Sequence, residues 1–182
     1  MGDFEPSFVF ETVLPSAAGN DSLTATYDQH QRELYSFALR TCRDAEAAED
    51  LVHEAFVRLL IESAAGRTPD NVRAWLFRVI ANLAVTRARR ANVARKALAF
   101  VVIRDTQEGP ELKILEHERR SDLEIALSTL PADARTALLL AARGFSGPEI
   151  AAAIGRSDSA TRTMMCRARM RLREQLASEV VR

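Results

Sequence analysis

The segment 144–173 restricts the fold of this chain more than any other stretch, because it reads as two helices joined by a sharp turn. Ser146 stands three residues before Glu149, with Pro148 between them, which is the capping-box pattern that opens a helix. Gly155 then supplies the permissive backbone that a sharp helix exit needs. The apolar residues between these signals share one face at helical spacing: Ile150, Ala151 and Ile154.

The second helix of this segment has an apolar stripe on one side and a basic surface on the other. Ser157 can cap it, and its stripe recurs at steps of four, three and four residues: Thr161, Met165, Ala168 and Leu172. The outer face carries Arg162, Thr163, Cys166 and Arg167. Guanidinium groups can bond phosphates or guanine edges, and a threonine can bond or touch bases. An ordinary helical hairpin with a solvated face would look similar, but spacing, turn glycine and charge together favour a DNA-reading helix-turn-helix.

Charge is balanced over the whole chain but unevenly distributed along it. The 182 residues include 25 basic and 25 acidic side chains, and the formal net charge is therefore zero. The stretches 72–96 and 162–173 contain no acidic residue, whereas 44–62 and 105–124 are rich in acids. This segregation allows basic surfaces that can bind DNA in a chain that is neutral overall.

Several classes of protein are disfavoured by what the sequence lacks. Cys42 and Cys166 are far apart, and His30, His53 and His117 have no metal-ligand spacing, so neither a disulfide framework nor a metal site or other cofactor is expected. No nucleophile–base set or glycine-rich phosphate loop indicates an enzyme. No apolar run approaches the ~20 residues of a membrane helix, and no signal-peptide pattern opens the chain. We therefore expect a cytoplasmic protein without membrane insertion.

Three further helices are predicted in the first half of the chain, over about 23–41, 44–60 and 72–90. The first has its predicted buried side at Tyr27, Leu34, Phe37, Ala38 and Cys42. The second can be capped by Asp44, and its outer face is acidic, which by itself indicates only a solvated surface. The third carries a second basic surface, with Trp75 as an aromatic neighbour: Arg73, Arg78, Asn82, Arg87, Arg89 and Arg90. Such a mixture suits contact with a DNA backbone and unstacked bases.

The domain organisation follows from where these patterns begin and end. Residues 1–22 form a tail that either lacks fixed structure or docks loosely through its phenylalanines. Residues 23–96 form a first helical domain, and 97–118 form an acidic, flexible linker that contains Gly109-Pro110 and a helical piece near 112–115. Residues 119–182 form a second domain, in which helices over about 119–130 and 131–144 support the helix-turn-helix. The predicted fold class is all-α, with two small helical domains.

Three segments, in this order and at these separations, resemble the extracytoplasmic-function (ECF) sigma factors of bacterial RNA polymerase. They are AAEDLVHEAFVRLL, then NVRAWLFRVIANLAVTRARR, then ALSTLPADARTALLLAARGFSGPEIAAAIG with RAR closing the recognition helix. The resemblance covers roughly residues 27–176. Four features depart from the family pattern: His53 replaces glutamine, Thr86 replaces aspartate, Ser159-Ala160-Thr161 replaces glycine-threonine-valine, and Met164 takes a position that is often basic.

The resemblance implies a protein that binds RNA polymerase core enzyme and directs it to promoter DNA, under the control of an anti-sigma protein. It implies that one face of the second helix meets the clamp helices of the largest polymerase subunit: Glu49, Asp50, His53 and Glu54. The loop 62–71 would capture a flipped base of the minus-ten element, and the residues expected to bind this element are Asn71, Trp75, Arg78, Asn82, Arg87, Arg89 and Arg90. The minus-thirty-five element would be read by Arg162, Thr163, Cys166 and Arg167.

Two other DNA-related functions compete with this interpretation. An autonomous repressor would explain the helix-turn-helix but not a second basic helix preceded by an acidic one. A sigma-like decoy that only binds an anti-sigma protein would keep the folds while losing DNA-reading arginines, and the presence of Arg162 and Arg167 argues against it.

Overall fold

The structure, a computed structural model, describes residues 17–101 and 122–179, and these residues form seven α-helices without a strand. The helices are α1 (Ala17–Cys42), α2 (Ala45–Ala64), α3 (Val72–Val101), α4 (Asp122–Ser128), α5 (Ala132–Ala141), α6 (Gly147–Ile154) and α7 (Asp158–Glu179). The all-α prediction is confirmed. None of these helices is both long enough and apolar enough to cross a membrane.

The local signals for helix ends act as the sequence predicts. The Asp44 side chain accepts a hydrogen bond from the Ala47 N–H at 2.7 Å and so caps α2. Ser146 and Glu149 form a complete capping box at the start of α6, which ends at Gly155 with a left-handed φ of 63°. The Ser157 hydroxyl accepts from the Ala160 N–H at 3.3 Å at the start of α7. The helix-turn-helix is thus built by local interactions.

Helices α1 and α3 extend into segments that were predicted to be tail and linker. α1 begins at Ala17, inside the predicted tail, and α3 continues to Val101, inside the predicted linker. Residues 91–95 are all exposed, so this part of α3 has no apolar stripe by which periodicity could reveal it. Adding a residue to an existing helix costs far less than starting one, and the alanines, the arginine and the lysine of this stretch favour helix. The predicted helical piece near 112–115 and Gly109-Pro110 lie outside the described residues.

Helices α1, α2 and α3 form the first bundle, whose core is apolar. Phe37 and Phe77 are fully buried and meet edge to face, with ring centroids 5.1 Å apart. Tyr27, predicted on the buried side, is instead 40% exposed and rests on Phe56 at the rim. Cys42 is half-buried and its thiol donates to the Ala38 carbonyl at 3.0 Å. Burial raises the pKa of Cys42, as expected of a small core residue.

The second bundle, α4 to α7, packs against the first, and the two share one continuous core. Buried residues of α5 and α6, including Leu140, Ile150 and Ile154, belong to the same apolar cluster as Leu34 and Leu76 of the first bundle. The contacts run between α5 and both α1 and α3, and between α6 and α3. The sequence predicted two helical domains, but nothing in it predicted this apolar contact between them.

Two arginines, one buried and one half-buried, complete the contact between the bundles. Arg135 of α5 donates through Nη2 and Nε to the Thr41 carbonyl, at 2.6 and 3.1 Å. That carbonyl lies in the last turn of α1, where no further residue of the helix can bond it. Burial lowers the pKa of Arg135 to about 10, so the side chain keeps its charge at neutral pH.

The second arginine is Arg143, which follows α5 and is half-buried. Its guanidinium carbon lies 4.8 Å from the ring centroid of Phe37 and 5.0 Å from that of Phe77. These cation–π contacts join the second bundle to the aromatic pair at the centre of the first. The contact between bundles therefore combines apolar burial with partnered cations.

We expect Arg135→Ala to lower the free energy of unfolding by about 2 kcal/mol, because it removes charge-assisted hydrogen bonds in a buried setting. The matched control is Arg40→Ala, which removes an exposed pair between the same bundles, Arg40 with Glu124 at 3.5 Å. It should cost less than about 1 kcal/mol. Urea unfolding followed by circular dichroism measures both, and equal losses for the two variants would contradict the assigned role of Arg135.

Candidate nucleic-acid interface

The acidic face of α2 is exposed to solvent. Its four predicted polymerase-binding residues are all exposed: Glu49, Asp50, His53 and Glu54. Behind them Leu51, Val52 and Ala55 are buried in the core, so the face is held rigidly. The Asp50 carboxylate lies 3.4 Å from the Arg87 guanidinium of α3. Because this ion pair is exposed, a binding partner can break it at little cost in free energy.

The predicted minus-ten residues of α3 lie on two different sides of the helix. Arg78 and Arg89, eleven residues apart, are separated by about three helical turns and share the side that meets the second bundle. Arg87 lies near the opposite side, toward α2, and lines a groove with Arg90 and the acidic face. Asn82 is exposed. The structure therefore divides the basic surface that the sequence predicted as one.

Asn71 and Trp75, at the start of α3, have structural contacts of their own. The Asn71 side chain accepts from the Ala74 N–H at 2.9 Å, which caps α3 and leaves its amide group able to donate. Trp75 is half-buried against the core. α2 extends to Ala64, so the loop between α2 and α3 begins at Ala65, three residues later than predicted.

Arg89 is a residue of the predicted DNA surface that hydrogen-bonds to the second bundle. Its Nη2 atom donates to the Ile154 carbonyl at 2.7 Å and to the Asp133 carboxylate at 3.1 Å. Arg156 binds the same carboxylate oxygen through Nη2 and Nε, at 2.6 and 2.9 Å. Asp133 thus joins an arginine of the first bundle to one of the second.

The outer face of α7 carries the predicted reading residues, and all four are exposed: Arg162, Thr163, Cys166 and Arg167. Arg162 is held by Asp158 one turn earlier, at 2.8 Å, and the Thr163 hydroxyl donates to the Ser159 carbonyl at 3.0 Å. The inner stripe packs as predicted, with Thr161, Met165 and Ala168 buried. This is the arrangement of a recognition helix supported by a partner helix.

A groove of about 1020 Å³ separates α3 from α7. Thr163 and Arg167 of the reading face line it, opposite Arg89 and Asn92 of α3. The sequence did not predict that the two DNA surfaces border one groove. Nor did it predict the roles of Asp133 and Arg156. From the sequence alone, Asp133 is only an acidic residue in the first turn of α5, where it interacts favourably with the helix dipole.

Taken together, the helix-turn-helix with its basic outer face and the second basic helix define an all-helical DNA-binding protein with a separate acidic surface. Residues 26–93 match the family described as sigma-70 region 2, and residues 120–172 match the one described as sigma-70, region 4.

Known relatives and a solved structure agree with these matches. The chain is 31% identical over 174 residues to the ECF RNA polymerase sigma factor SigE of Mycolicibacterium smegmatis, covering 91% of this chain and 67% of the relative. It is 32% identical over 142 residues to the ECF sigma factor EcfG of Rhodopseudomonas palustris, covering 76% of each. The sigma factor RpoE of Bartonella quintana, solved with the anti-sigma factor NepR, has a TM-score of 0.61 at 26% identity, covering 86% of this chain and 98% of that one.

The chain belongs to the ECF family of RNA polymerase sigma factors. Its function is therefore that of a transcription initiation factor, which binds RNA polymerase and directs it to promoter DNA.

Proposed function

We propose that the acidic face of α2 is the surface that binds polymerase core enzyme, and that α3 and α7 divide the contacts with promoter DNA. The observation that carries this proposal is the separation of charge: exposed carboxylates on α2, and exposed arginines on α7 and at the end of α3. Carboxylates repel the DNA backbone, so they suit a protein partner, whereas arginines bind phosphates and bases. Both partners lie in the bacterial cytoplasm, where we place the protein.

The first test concerns the polymerase surface. Asp50→Lys combined with Glu54→Lys reverses the charge of α2 without touching the core, because both side chains are exposed. The folded double variant should no longer co-purify with core enzyme and should yield no transcripts in run-off transcription on a genomic fragment library. Wild-type protein with core enzyme should yield transcripts from defined start sites.

The matched control for this test is Asp28→Lys combined with Glu174→Lys, which makes the same change of charge on exposed residues of α1 and α7. It should keep its affinity for core enzyme. Unchanged binding of polymerase by the folded Asp50 and Glu54 variant would remove α2 from the interface. Binding of the wild type to one DNA sequence without core enzyme, as tightly as with it, would favour the repressor instead.

The two DNA-binding helices are proposed to act differently. On α7, Arg162, Thr163, Cys166 and Arg167 stand out from a helix that is held by its neighbours, the geometry for reading base edges of the minus-thirty-five element in a major groove. On α3, the arginines follow the helix toward its end, which suits phosphate contacts along melted minus-ten DNA. The α2–α3 loop precedes this surface and is proposed to receive the flipped base.

The second test distinguishes base recognition by α7 from phosphate binding by α3. Arg162→Ala or Arg167→Ala should weaken binding to the cognate upstream element by about 1–3 kcal/mol if the lost contact is bidentate to guanine, with little effect on mismatched elements. Arg90→Ala, on the exposed end of α3, should weaken binding to all sequences alike and reduce the salt slope by about 0.9. Affinities of the polymerase holoenzyme, measured by fluorescence anisotropy at several salt concentrations, distinguish these outcomes. The same loss on every promoter for all three variants would contradict the division.

We also propose that an anti-sigma protein holds this factor inactive. The solved relative of Bartonella quintana is bound to an anti-sigma factor, and two linked bundles offer a single partner two surfaces at once. An amphipathic helical partner with acidic residues near the arginines of α7 would fit the exposed surfaces described above. A partner that covers either the acidic face of α2 or the outer face of α7 would be enough to prevent transcription by the factor.

The third test is hydrogen exchange of the factor with and without a candidate partner, isolated from the native cell by affinity to the tagged chain. The partner should protect amides of α2 or of α7 and should reduce run-off transcription when added to the holoenzyme assay. If no cellular protein lowers the activity of the purified factor in extract, this regulatory proposal is wrong, while the transcription function stands.

A further inference from the structure

We propose that Asp158, at the start of α7, is a positioning residue for promoter recognition: it holds Arg162 in the orientation that reads a guanine and keeps this arginine from binding phosphates. The inference rests on the reading role proposed above for the outer face of α7. It goes beyond that role because it assigns a part in sequence discrimination to an acidic residue that makes no bond to DNA itself. Three observations carry it: an ion pair, the packing of the aspartate, and the distribution of acids along α7.

The ion pair joins two side chains that lie one helical turn apart on α7. The Arg162 Nη2 atom donates to the Asp158 Oδ2 atom at 2.8 Å. This bond uses one of the five guanidinium N–H groups, and the other four remain for a base. A bidentate contact with guanine needs two of them, one for O6 and one for N7. Arg162 can therefore bind a guanine edge while Asp158 still holds it.

The Asp158 side chain is itself held in place by the neighbouring helix. Its other carboxylate oxygen, Oδ1, lies so close to Gly147 at the start of α6 that a β-carbon on that glycine would be 3.3 Å away. The Asp158 side chain is 44% exposed, whereas the Arg162 side chain is 79% exposed. The acid thus lies at the contact between the two helices of the helix-turn-helix, and the arginine extends from it into solvent.

Holding Arg162 before DNA arrives lowers the cost of binding in one orientation. A free arginine side chain loses rotamer entropy when a base immobilises it, and a side chain that is already held loses less. An exposed ion pair contributes little to folding stability. A base that displaces water from the pair strengthens the attraction between its charges, because the local dielectric falls. A guanine that meets the held orientation of Arg162 therefore gains from the presence of Asp158.

The same carboxylate disfavours the other use of Arg162, which is a contact with the DNA backbone. Arginines bind phosphates in any sequence, and such contacts raise affinity without selecting a promoter. A carboxylate one turn away repels phosphates and competes with them for the guanidinium. Residues 159–173 contain no acid, and no acid stands three or four residues before or after Arg167. Of the two predicted reading arginines, only Arg162 is restrained by an acid within its own helix.

The experiment measures sequence discrimination by the holoenzyme, formed from the full chain and core enzyme. One labelled duplex carries the upstream element of a promoter identified by run-off transcription, and the mismatched duplex has the G·C pairs of that element replaced by A·T pairs. Fluorescence anisotropy at several salt concentrations gives the affinity for each duplex. Circular dichroism verifies that each variant keeps its helix content.

Asp158→Asn should lower the ratio of cognate to mismatched affinity by about fivefold, the lower end of the discrimination that a bidentate contact carries. Most of the change should come from tighter binding to the mismatched duplex, because the released arginine reaches a phosphate. The salt slope on that duplex should therefore become steeper by about 0.9. A loss of folding stability alone would change neither the ratio nor the slope in this way.

Four further variants distinguish positioning from an effect of net charge. Asp158→Glu keeps an acid four residues before Arg162 and should keep most of the discrimination. In the Arg162→Ala chain, adding Asp158→Asn should leave the ratio unchanged, because the acid acts through that arginine. In the Arg167→Ala chain, the same addition should lower the ratio as it does in the wild type. Glu149→Gln removes one negative charge at the start of α6 while keeping the capping-box pattern, and it should leave the ratio unchanged.

The outcomes separate the positioning role of Asp158 from the reading role of α7. If Arg162→Ala lowers the ratio but Asp158→Asn does not, the positioning role is overturned and reading by α7 stands. An equal effect of Asp158→Asn in the Arg162→Ala chain overturns the positioning role as well. If neither Arg162→Ala nor Arg167→Ala alters the ratio, the proposed reading role is wrong and the positioning role fails with it. Run-off transcription by the wild type tests the sigma function independently of these results.

Discussion

Arginine side chains placed at the ends of helices are the interaction on which the arrangement of this protein depends. The last carbonyls of a helix have no partner within it, and a buried guanidinium is costly when its N–H groups are not bonded. Arg135 meets the end of α1, and Arg89 meets the end of α6. Each pairing satisfies a helix-end carbonyl that has no partner within its own helix, and each does so across the boundary between the bundles. The orientation of the second bundle on the first follows from these contacts and from the apolar core beneath them.

The contact between the bundles adds arginine hydrogen bonds to the apolar packing that holds each bundle together. Within a bundle, helices meet through side chains such as Phe37 and Phe77, which lose a large apolar area to water on separation. Between the bundles, part of the attraction comes from cations whose bonds can be exchanged for bonds to other anions or carbonyls. DNA phosphates are such anions. A basic protein surface that binds DNA is thus also suited to bind an acidic or carbonyl-bearing surface of its own chain.

Local structure was predictable from residues because it depends on neighbours in the sequence. Asp44, Ser146 and Gly155 act within four residues of their own positions, and the structure has each of them in the predicted role. The acidic face of α2 and the reading face of α7 were predictable for a similar reason, since helical periodicity alone decides which side chains point outward. Periodicity failed at the end of α3, where residues 91–95 are exposed all round and no apolar stripe marks the helix.

The sequence by itself determined the helices, their caps and the sign of the charge on each surface. Three motifs in a fixed order also indicated the family. Only the tertiary structure decided that the two bundles share a core and that Asp133 joins Arg89 to Arg156. The reason is physical. Asp133 and Arg89 are 44 residues apart in the chain, and a contact at that separation depends on how whole helices pack. No local pattern records that packing, because the same aspartate would serve equally well as an acid in the first turn of an isolated helix.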